Sequence, residues 1–188
     1  MFRNPNNMSG QMFTMNLIVP KSTAVPTDVA PINNDVGKKE MKWAGPTWLI
    51  LHTLAEKVDE VTFSEVRVGL SNTIYTICTL LPCPICANHA KKFLDGINFD
   101  SIAVNEDLKR LLFDFHNQVS REKNQPIYNY DDILIYQRTN TIKVIQNFMF
   151  QFSKKSGSIR LISDDLHRAR TITTMKQWFN DNMKYFCQ

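Results

Sequence analysis

Glycine is scarce in this sequence, with 6 residues in 188, and cysteine is scarcer, with 4. The first count excludes a collagen-like repeat. The second excludes a small secreted fold stapled by several disulfides. No apolar run approaches the roughly 20 residues that a membrane-spanning helix needs. Charge of one sign never gathers into a block. The 22 Lys and Arg are interspersed with 18 Asp and Glu, so a net charge of +4 is no nucleic-acid signature, and no nucleic-acid partner is expected. No secretory leader is expected either. Met12 to Val19 is apolar for only about eight residues, and no small-residue cleavage site follows. The reading is a protein kept in the cytosol or nucleus, or in a particle assembled there, where free thiols are the default. What is present is ordinary: 43% hydrophobic and 21% charged residues, enough to bury one core.

The chain changes texture along its length. Residues 1–40 hold Pro5, Pro20, Pro26 and Pro31 among many Asn, Ser and Thr, which reads as an extended arm or linker. From Trp43 onward, helical spacing takes over. Trp48, Leu51, His52 and Ala55 recur at i, i+3, i+4 and i+7, with Pro46 suited to the first turn. A second helix is expected from Ser64, as its cap, to Leu80. Val68, Ile74, Ile77, Cys78 and Leu81 are its apolar positions, and Pro82 is its stop. A third opens at Cys83-Pro84-Ile85-Cys86 and runs to Leu94, with Gly96 after it. A fourth spans Asn105 to Lys123 with Leu108, Leu111, Leu112, Phe115 and Val119 as its buried stripe, and Pro126 blocks its continuation. Asp131 to Phe152 is apolar on several faces and fits helix or partly strand. Lys154 to Ser158 reads as a loop. A last helix is expected over about Asp165 to Phe186, capped by Ser163 or Asp164. The fold class is all-α, with four antiparallel helices as its core.

The Cys83-Pro-Ile-Cys86 pair is the sharpest local feature. At this spacing the two sulfurs can close a disulfide, and a helix N-terminus stabilises a thiolate. Two other readings stand beside it. One is a pair of buried thiols. The other is zinc held by Cys83, Cys86 and His89 with His52 or His116, though no second CxxC or HxxxH pair supports a metal. A thioredoxin-like reading needs a βαβ context that is not visible. His52 fits a core histidine beside Trp48, and His116-Asn117 fits a polar pair that satisfies itself in a core. Cys78 reads as a small core residue. Cys187 is either an incidental terminal thiol or a cross-link to a partner. His167, between Leu166 and Arg168, is expected at the surface. The aromatic-rich stretch after residue 130, from Tyr136 and Phe148 to Trp178 and Phe186, suits extra core or an interface.

The order Trp48-x-x-x-His52, Pro82-Cys83-x-x-Cys86-x-x-His89, Phe115-His116-Asn117-x-Val119 and Pro126 resembles the FAD-linked sulfhydryl oxidase family, the augmenter of liver regeneration and Erv type, over about residues 42–130. The resemblance implies a four-helix bundle with an N-terminal arm over 1–40, an oxidase domain over 41–130 and a C-terminal extension over 131–188. It implies FAD as cofactor and a thiol oxidase that makes disulfides in partner proteins, with oxygen as acceptor and peroxide as product. Cys86 would be the flavin-proximal thiol, and Cys83 the one that meets substrate. Gly45, Thr47, Trp48 and His52 would line the flavin from the first helix. His116, Asn117 and Val119 would lie at its adenine and ribose end, with His89 near the nucleotide and Lys123 or Arg121 supplying positive charge. No metal is implied. Four positions depart from the family pattern: Ala44 stands for Gly, Leu111 for Trp, Ser120 for Asn and Gln125 for Lys. The implied partners are cysteine-containing proteins or a thioredoxin-like relay, and a second copy of the chain. The likeness is greatest to short members from large DNA viruses, which places the protein in a host-cytoplasm virus factory and in virions. The competing function is an assembly protein that keeps the oxidase fold without its flavin chemistry.

Overall fold

The computed structural model describes residues 42–154 and 162–186. The N-terminal arm, most of the Lys154–Ser158 loop and Cys187 lie outside these. Six α-helices follow in order: α1 (Ala44–Lys57), α2 (Phe63–Thr79), α3 (Pro84–Asp95), α4 (Asn105–Glu122), α5 (Thr141–Phe152) and α6 (Ile162–Asn182). Short 3₁₀ segments cover Phe99–Ser101, Tyr130–Arg138 and Met183–Tyr185. The all-α class therefore stands. Among the described residues the extended pairing is a single bridge, Val58 with Phe186.

α1 is the axis of the molecule. The expected face of Trp48, Leu51, His52 and Ala55 is buried, but so are Ile50, Thr53 and Leu54 on the other side. A helix apolar nearly all round needs cover on every side. α4, the Tyr130–Arg138 segment and α5 all pack against it. α5 presents Val144, Ile145, Phe148, Met149 and Phe152 as its buried stripe. The ambiguous stretch from Asp131 to Phe152 is thus a 3₁₀ segment followed by a helix, with no strand. Its aromatic residues are mostly core, although Phe150 faces solvent.

Several expected boundaries move for identifiable reasons. Ser64 does not cap α2. The helix starts at Phe63, and Asp59 Oδ1 accepts from both the backbone N–H and the hydroxyl of Thr62 (2.9 and 3.0 Å), which holds the entry turn. Val68 is 61% exposed, so it falls off the buried stripe of α2, which is Phe63, Val66, Leu70, Ile74 and Ile77. α6 begins at Ile162, so Ser163 and Asp164 lie inside its first turn and do not cap it. At the end of α4, Asn124 takes φ 53°, Gln125 N–H donates to Ser120 O (2.8 Å) and Asn124 N–H to Arg121 O (3.1 Å). This is a Schellman closure with Asn in the left-handed position that glycine usually fills.

α6 packs onto α2 where a side chain is missing. A Cβ built on Gly69 would stand 2.8 Å from Nε1 of Trp178. Gly69→Ala should therefore destabilise the fold by about 1 kcal/mol. Overpacking costs ~1–3 kcal/mol and the helix-propensity gain returns at most ~1. Urea unfolding of Gly69→Ala, alone and with Trp178→Phe, checks this. The double variant removes the clashing atom and should recover most of the loss.

Candidate functional site

The Cys83–Cys86 pair is built by the α2–α3 junction. Pro82 cannot continue α2, and Pro84 occupies the first turn of α3, where a missing N–H costs nothing. Cys83 is the N-cap of α3, and its Sγ accepts from the Cys86 N–H (3.3 Å). Cys83 and Cys86 are joined in a disulfide with Cα atoms 5.2 Å apart. The reading as two buried thiols is therefore set aside. Both residues are partly exposed, and Ile85 between them is 64% exposed.

A cleft open to solvent lies beside the pair. Cys86 forms part of its wall, and Cys83 does not. Of the sequence-predicted binding residues, Thr47, Trp48, His89, Val119 and Lys123 line it. Gly45, His52, His116 and Asn117 are not among the lining residues. The sequence motifs did not single out Trp43, Cys78, Leu81 or Ala90, yet all four are in the wall. Trp43 had a signal available, an aromatic just ahead of a helix rich in site residues. Cys78 is also buried core, as expected, and burial pushes its thiol up to about 12. It therefore stays protonated next to the disulfide and is a poor competitor in thiol exchange.

Two of the residues missing from the cleft, His52 and His116, form a column behind it with Trp48 and Tyr136. Trp48 stacks on His116 (ring centroids 4.0 Å apart, planes 8° apart), and His52 stacks on Tyr136 (4.9 Å, 13°). His52 Nε2 and His116 Nδ1 share a hydrogen bond of 3.0 Å, so one ring donates and the other accepts. Phe115 packs on Trp48 and Phe93 on Phe115. His52 is thus a core histidine beside Trp48. The pairing of His116 with Asn117 is not found. Neighbouring residues on a helix point about 100° apart, and each meets a different partner. The Asn117 amide clamps the backbone of Tyr128: Nδ2 donates to Tyr128 O (3.0 Å) and Oδ1 accepts from Tyr128 N–H (2.9 Å). With both imidazoles enclosed in this column, neither joins Cys83 and Cys86. Among the described residues, no group of three His, Cys, Asp or Glu is placed to hold a metal ion.

Burial fixes the charge state of the column. Desolvation lowers His52 to about 3, and desolvation with the His52 ring beside it lowers His116 to about 2. Both are neutral at pH 7. The unfolded chain takes up protons on these rings below pH 6.5, whereas the folded chain does not. The stability they share is complete above pH 6.5 and falls as pH drops toward the folded values. From pH 7 to 5 the loss should reach up to about 2 kcal/mol per ring. Urea midpoints measured across this range should shift by less in His52→Gln, which removes one titrating group, than in the parent.

The arrangement has relatives. The Erv1 / Alr family profile matches residues 46–140, a stretch that holds α1 to α4 and the Tyr130–Arg138 segment. A protein of Invertebrate iridescent virus 3, named as a putative FAD-linked sulfhydryl oxidase, is 29% identical over 85 residues. That stretch is 45% of this chain and 57% of the relative, so a little over half of the relative's length is spanned. No solved structure matches at a significant level. With half of its residues inside the family match, and with the disulfide, the aromatic column and every residue of the cleft wall but Trp43 in that half, this chain belongs to the Erv1 / Alr family.

Proposed function

We propose that this chain is a thiol oxidase. It would accept electrons from cysteine pairs of partner proteins at the Cys83–Cys86 disulfide and pass them to FAD held in the adjoining cleft, with oxygen as the final acceptor. One observation carries the reading: the disulfide straddles the cleft wall, with Cys86 inside and Cys83 outside. The family and the name of the viral relative support it.

The residues present fit a flavin. Trp43, Trp48 and Phe115 offer flat aromatic surface, and Leu51, Leu81, Ala90 and Val119 offer apolar surface, which suits a flat ring. His89 and Lys123 supply donors that suit a phosphate-bearing tail, with the Glu122 carboxylate beside Lys123; the Thr47 hydroxyl already donates to Trp43 O (2.8 Å). FAD, when bound, supplies a two-electron acceptor that passes the pair to oxygen and gives peroxide. The chain's own residues handle the thiols. A substrate thiolate attacks Cys83 Sγ, the Cys83–Cys86 bond breaks, and Cys86 leaves as a thiolate. A second substrate thiolate attacks the substrate sulfur of the mixed disulfide, and Cys83 leaves. The substrate gains one disulfide, and Cys83 and Cys86 hold the two electrons. The Cys86 N–H that now points at Cys83 Sγ stabilises that leaving thiolate. Trp48 and His116, in face-to-face contact, keep water from the inner wall. The same reading places the protein in host cytoplasm and in particles, where glutathione keeps protein thiols reduced unless a dedicated oxidant acts.

Purified protein should show a flavin spectrum that bleaches with dithiol in the absence of oxygen and returns with air. Cys86→Ser should keep the spectrum, lose the bleaching and stop oxygen uptake. Trp48→Ala should weaken FAD binding by about tenfold or more through lost ring contact. A chain that stays colourless after incubation with FAD and consumes no oxygen with dithiol would overturn the reading and favour an assembly role.

A further inference from the structure

We propose that Arg168, on the helix beyond the family match, is a positioning residue for the Cys83–Cys86 pair. Its side chain is 5% exposed, which is unusual for a charged group. Three contacts hold the guanidinium. Nη2 pairs with Asp165, the carbon lies 5.8 Å from the ring centre of Phe152, and Nη1 donates to Leu80 O (3.3 Å). The last contact crosses from α6 to the C-cap residue of α2, three residues ahead of Cys83.

The Leu80 carbonyl is one of those at a helix end with no partner inside the helix. A cation there satisfies the oxygen and opposes the negative end of the helix dipole. The three residues after Leu80 have few other anchors. Leu81 lines the cleft, Pro82 has no N–H to donate, and Cys83 is already the cap of α3. Holding Leu80 therefore fixes where the chain leaves α2 and where Cys83 presents its sulfur to Cys86. Burying an Arg–Asp pair costs more than burying an apolar residue of the same length. A side chain needed only to pack α6 would not require it. The contact matters through geometry. A freed junction lowers the effective concentration of the two thiols for each other, and the disulfide becomes less favoured against the dithiol.

This concerns the pair named in the proposed function, but its test does not need flavin or oxygen. The full chain is equilibrated in anaerobic glutathione buffers, with dithiol + oxidised glutathione ⇌ disulfide + 2 reduced glutathione as the reaction. It is quenched, and the Cys83–Cys86 state is read by alkylation and peptide mass. Arg168→Met and Arg168→Gln should each lower this equilibrium constant at least about threefold, ~15 mV for a two-electron couple. Arg168→Lys, which keeps the charge and a donor, should fall between them and the parent. Asp165→Asn should shift it in the same direction. Phe179→Leu, a core change on the same helix, should lower the melting temperature and leave the constant unchanged. If Arg168→Met unfolds the chain, Arg168→Gln decides. Parent-level constants in the folded neutral variants, whatever their melting temperatures, would make Arg168 an ordinary structural residue and overturn the inference. Failure of oxidase activity alone would leave the result standing.

Discussion

The hydrogen bond between two neutral imidazoles, His52 on α1 and His116 on α4, is the constraint around which the rest is arranged. Neither ring could be buried alone without an unsatisfied nitrogen, and neither could be buried charged. Each satisfies one nitrogen of the other, and flat partners cover their faces: Trp48 and Tyr128 against His116, Tyr136 against His52. The bond sets the spacing of α1 and α4 at the level of the cleft. It also backs Trp48 with a stacked ring, so the indole that lines the cleft is held from behind. A cleft wall that does not need ordering at the moment of binding loses less conformational entropy to its ligand.

The column reaches its last member, Tyr136, through a strap. The Schellman closure at Asn124 turns the chain back along α4, and Asn117 grips the Tyr128 backbone as a strand neighbour would. Tyr130 then donates to Glu106 Oε1 (2.7 Å), and Arg110 lies over its ring. These contacts bring the Tyr130–Arg138 segment onto α1, where Tyr136 meets His52. The two adjacent residues of the His116-Asn117 motif thus act at successive steps of one construction. One ring builds the stack, and the neighbouring amide builds the strap that covers it.

How far the sequence could be read depended on how local the signal was. The CxxC pair, the prolines around it and the apolar spacing of α1 to α4 are short-range patterns, and they located those helices and the disulfide-bearing turn. The second buried side of α1 was hidden because its cover comes from far along the chain: Thr53, for one, meets Thr139 (3.2 Å), 86 residues on. The Asp59 anchor of α2 was missed for a different reason: Ser64 is the better cap by residue type, but the turn places the carboxylate three residues before Thr62. Of the residues the motifs single out, Thr47, Trp48, Cys86, His89, Val119 and Lys123 line the cleft while His52 and His116 stand in the column, a division the sequence does not show. That division depends on which way neighbouring side chains point on α1 and α4 and on which partner reaches them first. Arg168 was the least legible, because nothing local distinguishes a buried arginine from the exposed Arg170 two residues on.

The three described cysteines show how one fold gives the same atom different chemistry. Cys78, in the last turns of α2, is enclosed, and its thiol is held protonated by desolvation. Cys86, in the first turn of α3, sits near the positive end of a helix dipole and faces the cleft. Cys83 caps that same helix, is partly exposed and is not part of the cleft wall. An α2 one turn longer would carry the chain past the point where two sulfurs can meet at the head of α3. The break at Pro82 therefore does more than end a helix. It places the negative end of one helix beside the positive end of the next, and the disulfide lies at the junction, at the head of α3.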